Sequence, residues 1–240
     1  MFCFVAAIAL FNDSSVVGLG GTVTALENNT TVRMVSEQVD INYTSRKIQT
    51  NFIFKNEGPA TKVLMGFPEE GDGDIQVPNS KTPSYFEKFE SRVDGVKTKC
   101  ELWIGERNSD EQFYKQWWTK TVEFKAGQTR RVANNYVTQY GSNTYGVKWL
   151  SYVLGTGKPW AGKIGSAKVI ADISGLKKGT FFVTQPKFSR RSGNSVIWEF
   201  KNFEPEDEHF EINIGAVEVE EAFYPKKDKY FEGIGWVSQR

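Results

Sequence analysis

Hydrophobic and polar positions alternate with a period of two along most of this chain, as at Phe52 and Phe54, where Ile53 and Lys55 fall on the other side. That period sends successive side chains to opposite faces of a strand, so it predicts β structure with one face buried. Runs rich in β-branched and aromatic residues cover Val32 to Val35, Val39 to Tyr43, Ile48 to Phe54 and Lys62 to Phe67. Others span Phe86 to Val93, Val96 to Ile104, Trp118 to Phe124 and Thr129 to Gln139. The later ones are Ala167 to Ile173, Thr180 to Thr184, Ser195 to Phe200 and Phe210 to Val219. Turn chemistry separates them: Asn56-Glu57-Gly58-Pro59, Ala126-Gly127, Arg191-Ser192-Gly193-Asn194, and Asp94-Gly95, a two-residue hairpin signal.

Many short strands at this spacing predict an all-β, antiparallel β-sandwich architecture with little helix. Only Glu106 to Gln116 and Val147 to Leu154 leave a helical turn open as an alternative. Phe52, Phe54, Val63, Met65, Phe67 and Trp103 are the expected N-terminal core. The polar run Arg107 to Glu111 is the best internal boundary, giving two packed sandwiches, residues 12–110 and 111–224. Residues 225–240 form a charged aromatic tail. Residues 1–11 form an apolar leader too short to span a bilayer, read as the remnant of a secretory signal peptide. No later segment is apolar enough to be transmembrane, and the expected location is extracytoplasmic: periplasmic, secreted or at the cell surface.

Composition narrows the chemistry. Thirty Lys and Arg against 29 Asp and Glu leave a net charge of +1, which carries no electrostatic footprint for nucleic acid. One histidine, His209, and two cysteines, of which only Cys100 lies beyond the leader, cannot furnish the usual transition-metal ligand set. No Gly-x-Ser-x-Gly elbow accompanies His209, so a serine triad is not expected, and none of the catalytic sets sought is found. Gly18-Leu19-Gly20-Gly21 lacks the Gly-Lys-Ser/Thr of a phosphate loop and reads as a glycine-rich strand, able to pair at a sheet edge in cis or with a second copy.

Two constellations remain. Glu70, Asp72 and Asp74 alternate with glycines after Phe67-Pro68, an acidic loop of the kind that could supply oxygen ligands to calcium, or be merely solvated. Tyr114, Trp117 and Trp118 make the densest aromatic cluster; of two adjacent tryptophans on a strand, one faces the core and the other is free to stack on a ligand ring. Trp160 sits in Leu154-Gly155-Thr156-Gly157-Lys158-Pro159-Trp160-Ala161-Gly162, a segment that bends more than once. It is expected to pin that segment into the core, with a binding platform as the alternative.

Several pieces in order resemble a secreted bacterial family, the domain of unknown function numbered forty-four twenty-four. They are Asn12-Asp13-Ser14, the strand Gly18 to Val23, Ser36-Glu37-Gln38-Val39-Asp40-Ile41, Phe52 to Gly58, Gly66-Phe67-Pro68-Glu69 and the block Tyr152 to Gly165. The resemblance covers most of residues 12 to 215, and the chain departs from it in being shorter between Cys100 and Trp117. It implies export but no activity, since the family has none established. The resulting expectation is a non-enzymatic envelope module that binds or scaffolds an envelope polymer or protein, with no cofactor beyond possible calcium. The alternatives are a carboxylate-dependent hydrolase of an envelope polymer and a strand-sharing subunit of a surface assembly.

Overall fold

The computed structural model describes residues 17–26, 31–72, 84–104, 116–142, 147–177, 180–205, 207, 210–218 and 237–239. The leader, Asp74, Tyr114 and His209 lie outside them. The strands in chain order are β1 (Val17–Gly21), β2 (Thr24–Ala25), β3 (Val32–Asn42), β4 (Lys47–Asn56), β5 (Thr61–Asp72) and β6 (Lys88–Val93). Next come β7 (Val96–Thr98), β8 (Glu101–Ile104), β9 (Gln116–Phe124), β10 (Thr129–Val137), β11 (Gly141–Ser142) and β12 (Lys148–Val153). The last six are β13 (Ile164–Asp172), β14 (Thr180–Gln185), β15 (Arg190–Ser192), β16 (Ser195–Phe203), β17 (Glu211–Glu218) and β18 (Val237–Gln239). Helix is confined, among the described residues, to one 3₁₀ turn at Gly155–Gly157.

Two sheets face each other, as the alternation predicts. One runs β18-β14-β17-β12-β1-β5-β9-β8, with β11 on β12 and β2 on β5; the other runs β15-β16-β13-β3-β4-β10-β6-β7. Neither is wholly antiparallel. β1 lies parallel to β12, Gly20 opposite Tyr152, and β3 lies parallel to β13, Val39 opposite Val169. Strand pairing crosses the boundary expected near residue 110 in both sheets: β5 pairs with β9, and β1 and β3 reach partners from the second half. At the end of the charged tail, Val237–Gln239 is a strand on β14 rather than a free extension.

One apolar core fills the space between the sheets, and Phe52, Phe54, Val63, Met65 and Phe67 are in it. Trp103 is not: it is 45% exposed. The pleat explains this, since Trp103 is in register with Trp117 on the outer face of β9 while Leu102 faces Trp118 on the inner one. The Asp94-Gly95 turn has φ of 49° and 84°, the positive values a two-residue hairpin demands.

β1 is the glycine-rich strand, and its place in the middle of a sheet accounts for its composition. Gly20 faces Tyr136 of the opposite sheet, where a Cβ would come within 2.3 Å of the phenol oxygen. The strand pairs on both edges within its own sheet, with β5 and β12. Sharing it with another copy would require breaking two ladders.

Candidate ligand-binding groove

As far as Asp72 the acidic stretch after Phe67 is strand, not loop. β5 continues through Pro68 to Asp72, with Glu70 opposite Leu19 and Asp72 opposite Val17 of β1. Glu69 is buried and accepts hydrogen bonds from Ser84 Oγ at 2.7 Å, Phe86 N at 2.8 Å, Trp118 Nε1 at 2.7 Å and the Tyr85 amide. It ties residues 84–86 to the sheet. Among the described residues no group of three His, Cys, Asp or Glu side chains could hold a metal ion.

The tryptophans are packed. Trp118 stacks on Phe89 with centroids 4.8 Å apart, and Trp117 is 7% exposed, covered with Val153 and Leu26 on the outer face of its sheet. Trp160 is 3% exposed, lies 4.4 Å from the Phe54 ring and donates from Nε1 to the Val23 carbonyl at 2.6 Å. It closes the end of the sandwich where β3 begins.

At the other end of β3 a groove of about 540 Å³ opens. Its floor is Tyr43 and Tyr140, rings tilted at 48° with centroids 5.2 Å apart; Lys148, Leu176, Lys177 and Thr180 form its walls. The Tyr43 hydroxyl donates to the Lys148 carbonyl at 2.6 Å, and the Tyr140 hydroxyl to the Tyr43 carbonyl at 2.6 Å. Burial raises both phenols above their usual range, so the floor is neutral at physiological pH.

The groove is preorganised by its turns. Asn42 Oδ1 accepts from the Ser45 amide at 2.9 Å, and Asn42 Nδ2 donates to Asp172 Oδ2 at 3.0 Å. Arg46, at φ 58°, reaches Thr138 O at 3.1 Å and Glu87 at 2.6 Å. Gly175 presses on Thr44, where a Cβ would meet Oγ1 at 2.3 Å. Two exposed lysine residues in the lining beside a held aromatic floor suit a small molecule with a flat apolar face and an anionic group. Among the described residues no carboxylate lines the groove. A second depression of about 370 Å³ is lined by Lys62, Glu123 and Arg130, with Lys62 and Glu123 ion-paired at 2.6 Å.

None of the groove residues stands out in sequence. Tyr43, Tyr140, Lys148 and Leu176 come from four separate segments, and only the folded turns bring them together.

No protein-family model matches the chain, and no curated protein matches it. Among solved structures it is similar to a "putative nutrient binding protein" of Legionella pneumophila, with a TM-score of 0.66 and 19% identity over 86% of this chain and 73% of that one. That likeness is one of fold. Legionella pneumophila aminopeptidase A, in complex with aspartic acid, aligns at a TM-score of 0.36 with 7% identity, over 82% of this chain and 23% of that one. Yeast LTA4 hydrolase aligns at 0.37 with 8% identity, over 80% and 30%. At those scores neither bears on function. No helix among the described residues is long and apolar enough to cross a membrane.

Proposed function

We propose that the chain is a non-enzymatic, extracytoplasmic binding module of a bacterial cell envelope, and that the Tyr43–Tyr140 groove seats its ligand. The observation that carries the reading is the groove itself: a neutral aromatic floor held by its own hydrogen bonds, in a lining that includes Lys148 and Lys177. The fold shared with the Legionella protein, whose description is one of nutrient binding, supports a binding role. The apolar leader and the resemblance to a secreted family support export. Hydrolysis by paired carboxylates finds no support among the described residues of the groove, none of which is acidic.

The ligand class is a small organic anion with a ring or other flat face. Calorimetric titration with benzoate, 4-hydroxybenzoate and glucose 6-phosphate tests it. At least one is expected to bind, with affinity reduced about tenfold or more in Tyr140→Ala and in Lys148→Glu. Absence of binding by all three, or binding that both substitutions leave unchanged, counts against the groove.

A further inference from the structure

Lys120 is buried between the sheets with no acid among its hydrogen-bond partners. Its Nζ donates to Ser91 Oγ at 2.7 Å and to Asn134 Oδ1 at 3.4 Å, both neutral groups. Ser91 Oγ in turn donates to Asn134 Oδ1 at 2.7 Å, and the Nδ2 of fully buried Asn134 has no partner. The Cys100 thiol donates to the Thr98 carbonyl at 3.9 Å, and the β8–β9 register, with Glu101 opposite Thr119, sets Cys100 and Lys120 side by side one step beyond that pair. Cys100 is half-buried, in the connection where the chain leaves β7 in one sheet and enters β8 in the other. A half-buried cysteine and a buried lysine thus lie beside each other, at the side of the sandwich.

We propose that Cys100 and Lys120 are a modification site: a hydroperoxide oxidises the Cys100 thiol, and the Lys120 amine captures the product as a nitrogen–sulfur cross-link. In the first step the peroxide O–O bond breaks and an S–O bond forms. Sulfur loses two electrons, giving sulfenic acid, and the peroxide is reduced to water or its alcohol. In the second, the Nζ lone pair attacks sulfur, the S–O bond breaks, and the departing hydroxide takes a proton from nitrogen to leave as water. One thiol hydrogen and one amine hydrogen are lost overall, and a second thiol reverses the link.

The surroundings favour capture over further oxidation. Burial lowers the Lys120 pKa to about 8, so a substantial fraction of the amine is a free nucleophile at mildly alkaline pH. Burial raises the Cys100 thiol, so formation of the sulfenic acid is the slow step. The strand register holds the two residues as neighbours, an intramolecular arrangement that needs no diffusion.

The test uses the full chain with Cys3→Ser, to remove the other thiol, treated with hydrogen peroxide at pH 8.5 and analysed by intact mass and non-reducing peptide mapping. The expected product is lighter than the parent by two hydrogens, and contains one peptide joined through Cys100 and Lys120. It disappears with dithiothreitol, is not made by the urea-denatured chain, and forms faster as pH rises through about 8. Lys120→Arg keeps the charge but not the nucleophile, and should instead gain one oxygen that reacts with dimedone. If the parent gains oxygen and reacts with dimedone to the same extent as Lys120→Arg, or if no joined peptide appears, the proposal fails. Should Lys120→Arg not fold, the joined peptide in the parent, and its absence after denaturation, decides alone.

Discussion

The Tyr152 hydroxyl donates to Glu37 Oε1 at 2.7 Å, joining β12 of one sheet to β3 of the other through the middle of the core. Thr22 Oγ1, just after β1, donates to the same carboxyl at 2.8 and 3.0 Å. Burial outweighs both hydrogen bonds and pushes Glu37 up to about 7, from 4.5.

The sign of its pH dependence follows. Between pH 4.5 and about 7 the folded chain keeps a proton on Glu37 that the unfolded chain releases, so stability falls as pH rises through that window. The integrated loss is about 3 kcal/mol. Glu37→Gln should abolish that part of the dependence and be more stable relative to the parent at pH 8 than at pH 5. Urea unfolding at the two pH values checks it; parallel shifts would show that Glu37 does not titrate in the core.

Tyr136 is fully buried, and its hydroxyl has no hydrogen-bond partner. Tyr136→Phe should stabilise the protein by about 1 kcal/mol, because it removes an unsatisfied buried oxygen and little volume. Gly20→Ala should do the reverse and cost about 1 to 3 kcal/mol, since its Cβ runs into that phenol. Combined, the two should cost less than Gly20→Ala alone, by thermal melting of the three variants. Strict additivity would mean that the two residues do not meet.

Trp160→Ala should lower stability by about 3 to 5 kcal/mol, the range for large aromatic truncations in a core. Trp160→Phe keeps the contact with Phe54 but loses the donor to Val23, and should cost about 1 to 2 kcal/mol. Neither should alter binding in the Tyr43–Tyr140 groove, which lies at the far end of β3. Denaturant unfolding beside the calorimetric titration separates the two effects.

Glu69→Ala withdraws the acceptor shared by Ser84, Tyr85, Phe86 and Trp118. It should destabilise the chain by about 2 to 4 kcal/mol, as loss of a buried acceptor with several donors does. Hydrogen exchange at the Tyr85 and Phe86 amides should accelerate ahead of exchange in β4. Equal acceleration in both would place the effect on global stability rather than on residues 84–86.

The strands were legible because each carries its own evidence. Phe52 and Phe54 alternate with solvent-facing neighbours, and Asp94-Gly95 marks its hairpin without reference to anything distant. Trp160 was legible for the same reason, as one large ring among flexible residues. Partnership was not. Nothing local in Ser36 to Ile41 tells that β13 will lie parallel beside it, and the acidic stretch after Phe67-Pro68 read as a loop where β5 runs on to Asp72 along β1. Trp103 misled because an apolar residue on an alternating strand fits either face, and the register with Trp117 sets which. The groove was the least legible, because its residues come from turns whose positions depend on both sheets.

The parallel pairs have a consequence for the timing of synthesis. β1 and β3 are made early, yet each has one neighbour, β12 or β13, that emerges from the second half of the chain. Until then one edge of each strand is open, and the buried carboxyl of Glu37 lacks its Tyr152 donor. An unfinished chain is therefore an aggregation hazard rather than a half-built sandwich. Neither half carries a complete sheet, so a fragment cut near residue 110 should not fold on its own, and the molecule is acquired late and all at once.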